Sequence, residues 1–353
     1  MSKSLWLRLS AQDSDHLSRI LVEYGIDSTH SKSWISQLAH TNHVYLVEPI
    51  DSQPVVVREV NLETFGLIDS KLEHLNFEID VLEYLHDHGF EQVPKVLLNK
   101  HGGSVTIDKH PYVVFNQLEG EPIGNFNDLS RFDFARRQSF FNAIGRMSRV
   151  LSKYKTTRVV EKSLAQLCND AVQSLPRLYE ELNDQGRNVV EPNYGCLHTF
   201  VAQACAELEH CRYDELPKQA VHFDLHAGQA LFSEYQITGI VDFDWLRMDC
   251  RVSDLASSLA MCCYVYGGEQ DGLYNKEQLL AARGAFRAGF GASEYEEQFE
   301  NRLLSAAFKA YLVIQFIFTC EMYIKLPTEE NLVDMTHFMR LISRNNVNVL
   351  LQN

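Results

Sequence analysis

Apolar positions in the first third of the chain recur in two periods. His16, Leu17, Ile20, Leu21 and Tyr24 fall at helical spacing, and the pattern predicts an opening helix over residues 15–25. Val44–Glu48 and Val55–Val60 are β-rich runs separated by the turn-like Pro49-Ile-Asp-Ser-Gln-Pro54. Leu72, Leu75, Ile79, Leu82 and Leu85 then mark one face of a helix that ends near Gly89. Three further runs, Lys95–Leu98, Ser104–Ile107 and Tyr112–Gln117, read as strands, the first two turned by Gly102-Gly103.

Beyond Leu118 the texture changes. Helical periodicity covers residues 130–151, 163–183, 197–212, 275–290, 295–325 and 328–349. One β-patterned island, Val221 to Val241, interrupts these helices. The expected fold is α+β and bilobal, with a small β-rich N-terminal lobe over residues 1–118 and a larger, mostly helical lobe over 119–353. A crevice between two such lobes is where a ligand is expected. The apolar stretch Ala310–Ile324 is interrupted by Glu321 and reads as a buried core helix.

Composition narrows the class. The chain has 353 residues, 45% of them apolar and 22% charged, as in an ordinary soluble globular protein. A formal net charge of −15 argues against nucleic acid and fits a cationic small substrate. Eight cysteines are scattered without a CxxC pair, which points to reduced thiols. The N-terminal segment has no uninterrupted apolar run, so a cytoplasmic enzyme with no membrane partner is expected.

The chemistry sits in the island. It reads His222-Phe223-Asp224-Leu225-His226-Ala227-Gly228-Gln229, then a hairpin pattern between Leu231 and Val241, then Asp242-Phe243-Asp244-Trp245. A hairpin brings its ends together, which sets Asp224 and Gln229 toward Asp242. Two carboxylates and a carboxamide supply a base and hard oxygen ligands for Mg²⁺, the equipment of phosphoryl transfer.

This segment resembles the superfamily of aminoglycoside phosphotransferases, choline kinases and homoserine kinases, whose loop reads H-x-D-x-x-x-x-N, often HGDLHPGN, followed by a strand and I-D-[FW]. His222, Asp224, His226 and Gly228 match, Asp242 matches the metal-binding Asp, and Arg251-Val-Ser-Asp254-Leu-Ala matches the "DLA" segment that follows. The resemblance implies a protein-kinase-like fold, ATP and Mg²⁺ as cofactors, Asp224 as base and Asp242 as metal ligand. His222 and Asp254 would brace the loop. Gln229 stands where the family has Asn, with the same carbonyl donor one methylene further out.

Upstream, alternation puts Arg58 on the face of Val56 and Val60, where a cation needs a partner or a phosphate. Glu78, on the apolar stripe of its helix, is the candidate partner, with Glu73 the alternative. The family has the same pairing of a strand cation with a helix Glu. Thr41 and Asn42 lie where the family's phosphate-covering turn falls, and Asn116 and Leu118 where its backbone meets adenine. Asp244, Asp249 and the acidic run Glu294–Glu300 are candidate acceptor-side groups, and Trp245 a candidate ring beside an ammonium. The expected activity is an ATP-dependent kinase acting on a hydroxyl of a small amine-bearing metabolite. A non-catalytic nucleotide-binding protein of the same fold is the alternative.

Overall fold

Val55–Glu59 (β4) alternates as its sequence requires, sending Val55 and Val57 to one face of a sheet and Arg58 to the other. Around it, a computed structural model describes residues 6–28, 30–36, 42–61, 72–100, 102–124, 127–156, 162–291, 294–345 and 347, leaving aside the side chains of 11–13, 294–299, 301 and 302. The described residues form two units, one from Met1–Thr64, Asp69–Glu121 and Leu231–Asp244, the other from Pro122–Ala230 and Trp245–Asn353. The expected division near residue 118 left the hairpin after Ala230 with the helices; it is instead part of the first unit.

The first unit is built on a six-stranded antiparallel sheet. It contains β1 (Trp6–Arg8), β2 (Lys32–Ser36), β3 (His43–Glu48), β4, β5 (Ser104–Ile107) and β6 (His110–Asn116), in the order β1-β2-β3-β4-β6-β5. Helix α1 (Ala11–Glu23) lays Leu17, Ile20 and Leu21 onto Val47, Val55, Val57, Tyr112 and Val114. Helix α2 (Leu72–Asp87) buries Leu75, Phe77, Glu78, Ile79 and Leu82. Lys95–Leu98, expected as a strand, is only a bridge beside β6: Leu97 N–H donates to Val114 O at 2.8 Å. Pro94 lacks a donor, and β5 already occupies the remainder of that edge. Short β7 (Glu121–Pro122) borders a small sheet whose other strands are introduced below.

In the second unit, α3 (Phe134–Leu151) packs on α8 (Lys276–Phe290), and α9 (Glu294–Lys325) is surrounded by α4 (Leu164–Glu181), α6 (Tyr194–His210), α7 (Val252–Cys262) and α10 (Glu329–Arg344). A shorter helix, α5 (Asp184–Val190), follows α4. The span Leu303–Lys325 is long and apolar enough to cross a membrane, yet it is mostly buried within the protein, as expected of a core helix. Strands β8 (Gln219–Val221) and β11 (Arg247–Asp249) pair antiparallel, Val221 opposite Arg247. Between them in sequence come β9 (Ala230–Ser233) and β10 (Gln236–Ile240), which form the hairpin anticipated from sequence and lie with β7 in the order β10-β9-β7. The loop after α2 holds this hairpin, since Ile240 N–H donates to Gln92 O and the Gln92 carboxamide donates to Ile237 O.

Candidate active site

In the second unit the loop after β8 begins with His222, fully buried. Phe223 follows at φ 73°, a left-handed conformation costly for a bulky residue. Three neighbours hold it there. Its ring stacks on Trp245 at 6.1 Å and 11°, meets Tyr311 edge-on at 5.9 Å, and lies 3.9 Å beneath the Arg247 guanidinium. Its N–H donates to Asp254 at the start of α7 at 2.8 Å. Burial pushes the Asp254 carboxyl up to about 7, against the downward pull of the Phe223 and His222 amides. Arg247 is itself fixed by donating to Trp245 O and Lys162 O.

That strained residue delivers Asp224, whose two carboxylate oxygens receive different partners. Oδ1 accepts from the Tyr311 hydroxyl at 2.7 Å and from the Gln315 carboxamide at 3.1 Å. Oδ2 accepts from Gln229 Nε2 at 2.9 Å. Burial holds the Tyr311 phenol well above its ordinary range, so it remains a donor. Burial also lowers the affinity of His226 for a proton, opposed by Asp224, and Gly228 N–H donates to its Nδ1. The neutral ring therefore carries its proton on Nε2, which lies 3.9 Å from Asp224 Oδ2.

Gln229 sits in the 3₁₀ turn Ala227–Gln229 just ahead of β9. Its amide nitrogen is used on Asp224, while its buried Oε1 has no hydrogen-bond partner among the described residues. A buried carbonyl oxygen left in this way fits a hard cation.

In the first unit, Arg58 is 7% exposed and carries two ion pairs. Nη2 meets Glu78 at 2.5 Å and Nη1 meets Asp244 at 2.7 Å, with the guanidinium 5.4 Å from the Phe115 ring centre. Burial alone would weaken the hold of the group on its proton; Glu78, Asp244 and Asp242 together outweigh it and hold Arg58 firmly protonated. Glu73 is exposed and takes no part. One cation against three carboxylates leaves a negative excess that a divalent ion would offset. Asp242 follows β10 at φ 70°, a conformation that Asp tolerates better than most residues. Asn42 donates to Asp244 and accepts from Asn61 N–H at 2.9 Å, so both ends of its carboxamide are engaged within the protein.

The remaining expectations fare variously. Thr41 lies outside the described residues. Asn116 Oδ1 accepts from Lys95 N–H, and Leu118 rests against Gly239 of β10. Asp244, expected on the acceptor side, is bound to Arg58 and Asn42 in the first unit. Asp249 is buried and accepts from the Leu164 and Cys250 amides, and Glu300 pairs with Arg251, so both serve the fold. The side chains of Glu294, Glu296 and Glu297 lie outside the described residues. Trp245 is buried against Phe223 and Phe318 and packs the core. Tyr311 and Gln315 were not anticipated. Their signal is a polar stripe at four-residue spacing, Tyr311, Gln315 and Thr319, within the otherwise apolar stretch Ala310–Cys320 of that helix.

Comparison with known proteins agrees with this geometry. The profile of the phosphotransferase enzyme family matches residues 35–292. A search of curated proteins found no significant match. Among solved structures, a spectinomycin phosphotransferase bound to ADP and spectinomycin superposes with a TM-score of 0.63 at 14% identity, over 97% of this chain and 98% of its own. An amicoumacin kinase in complex with AMP-PNP, Ca²⁺ and Ami gives 0.59 at 16%, over 88% of each chain. A choline kinase from Cryptosporidium parvum Iowa II gives 0.56 at 10%, over 94% and 95%. With a profile match across most of its length, the chain belongs to the phosphotransferase enzyme family and has the kinase-like fold.

Proposed function

We propose that this kinase transfers the γ-phosphoryl group of ATP to a hydroxyl of a small, amine-bearing acceptor, with Asp224 as the base. The observation that carries the reading is the orientation of Asp224: donors on both oxygens fix the carboxylate, at the position where the family's catalytic Asp stands. A base held in one orientation removes much of the entropic cost of positioning. Asp224 takes the proton of the acceptor hydroxyl as its oxygen bonds to the γ-phosphorus, and ADP departs with the electrons of the broken P–O bond.

Arg58, kept cationic and braced by Glu78, is suited to the charge of a nucleotide phosphate. Asp242 in the first unit, and separately the Gln229 carbonyl in the second, is an oxygen donor of the kind that Mg²⁺ takes, and Mg²⁺ when bound would neutralise charge on the phosphates. The ADP and AMP-PNP carried by two of the similar structures support an adenine nucleotide. A positively charged acceptor is supported by the net charge of −15 and by the choline kinase likeness.

The test is ADP release with Mg·ATP, and in parallel Mg·GTP, across aminoglycosides, amino alcohols and hydroxy amino acids. Turnover is expected on one of these classes, reduced about 10²- to 10⁴-fold by Asp224→Asn and strongly by Asp242→Asn. Tight ATP binding without turnover on any acceptor would replace the kinase reading with a regulatory one.

A further inference from the structure

Asp224 is held by a helix far from it in sequence. Tyr311 and Gln315 stand one turn apart on α9, 1% and 6% exposed, within the most apolar span of the chain. Polar groups buried there are costly unless satisfied, and each of the two donates to the same atom, Asp224 Oδ1. The Tyr311 hydroxyl donates to Asp224 Oδ1 at 2.7 Å, Gln315 Nε2 donates to the same oxygen at 3.1 Å, and Gln315 Nε2 also lies 2.8 Å from the Tyr311 hydroxyl. The three groups form a closed ring of hydrogen bonds. The ring of Tyr311 also meets Phe223, the strained residue just before the carboxylate.

We propose that Tyr311 and Gln315 are positioning residues for the base, and that they assign the two oxygens of Asp224 different tasks. Oδ1, loaded by two donors, is the anchored oxygen. Oδ2 receives, among the described residues, Gln229 alone at hydrogen-bond distance, keeps accepting capacity, and is the oxygen that takes the acceptor's proton. Without the Tyr311 hydroxyl, Oδ1 keeps only the longer Gln315 bond, the carboxylate turns more easily about its χ2 bond, and Oδ2 is less often in the line of proton transfer. The inference rests on the reading of Asp224 as base.

The experiment compares full-length wild type with Tyr311→Phe, Tyr311→Ala, Gln315→Met and Asp224→Asn. It measures kcat and acceptor KM, using basal ATP hydrolysis if no acceptor is found, together with thermal melting. Tyr311→Phe keeps the ring against Phe223 and loses only the hydroxyl. It is expected to lower kcat about 10- to 100-fold with acceptor KM little changed and melting within a few degrees. Gln315→Met should lower kcat less, because Tyr311 remains. A merely structural pair predicts that Tyr311→Phe keeps kcat while Tyr311→Ala loses folded protein.

Tyr311→Phe within twofold of wild type, beside an inactive Asp224→Asn, would overturn the positioning role alone. An Asp224→Asn variant with full turnover would overturn the base, and this inference with it. Absence of any turnover by wild type would do the same to both.

Discussion

Arg58 is enclosed by Glu78 and Asp244, and its removal strands two carboxylates. Breaking a buried pair by deleting one partner costs about 3–5 kcal/mol. Arg58→Met is therefore expected to lower the unfolding free energy by that amount, read as a lower urea midpoint, and Arg58→Met with Glu78→Gln to recover part of it. Equal midpoints for the single variant and wild type would contradict the pairing. Asp254 gives a pH-dependent counterpart. Its carboxyl moves from an ordinary 3.8 to about 7 on burial, so the folded chain retains a proton that the unfolded chain has released. That contribution is complete below about pH 4 and is lost as pH rises through about 7. Asp254→Asn removes it, and the gap between variant and wild-type urea midpoints should shift in the variant's favour from about pH 5 to about pH 7. A constant gap across that range would show that Asp254 is ionised in the fold.

At the scale of elements, the α3–α8 crossing depends on two glycines. A Cβ on Gly145 would strike Phe286 O, and one on Gly289 would strike Asn142 O, both backbone atoms that cannot turn aside. Gly289→Ala should therefore destabilise by about 1–3 kcal/mol through overpacking, whereas Gly284→Ala on the same helix, with open space around it, should be neutral or stabilising. Thermal melting of the two variants separates these outcomes. Elements whose pattern lay in their own sequence were legible, such as α2 with its leucine stripe and the β9–β10 hairpin. Helix α7 gave no helical period in the sequence because every one of its residues is buried, which leaves no amphipathic alternation. Strands β1 and β2 are short, and they form through pairing with each other and with β3 rather than through their own apolar residues.

The same distinction governs the site. Asp224, Gln229 and Asp242 were legible because the loop and the residue after its hairpin lie within one stretch of sequence. Arg58 and Glu78 were legible because strand alternation and a helix stripe each pointed inward. Tyr311 lies 87 positions from Asp224, and no local pattern names its partner. Asp244 was seen as an acceptor-side charge because its link to Arg58 spans 186 positions.

The whole molecule carries a net charge of −15, and the long-range field of that excess would concentrate a cationic acceptor. Salt screens such attraction, the Debye length falling to about 3 Å at 1 M. Acceptor KM is therefore expected to rise several-fold as ionic strength increases from about 0.05 to about 0.5 M, while a neutral acceptor of the same shape is unaffected. Equal salt dependence for both would remove steering from the account. The most direct test of the central claim is ³¹P NMR of Mg·ATP with the best acceptor, run with wild type and with Asp224→Asn. The account predicts a phosphomonoester resonance growing with ADP in the wild type and nearly absent in the variant. An ester formed equally fast by Asp224→Asn would contradict it.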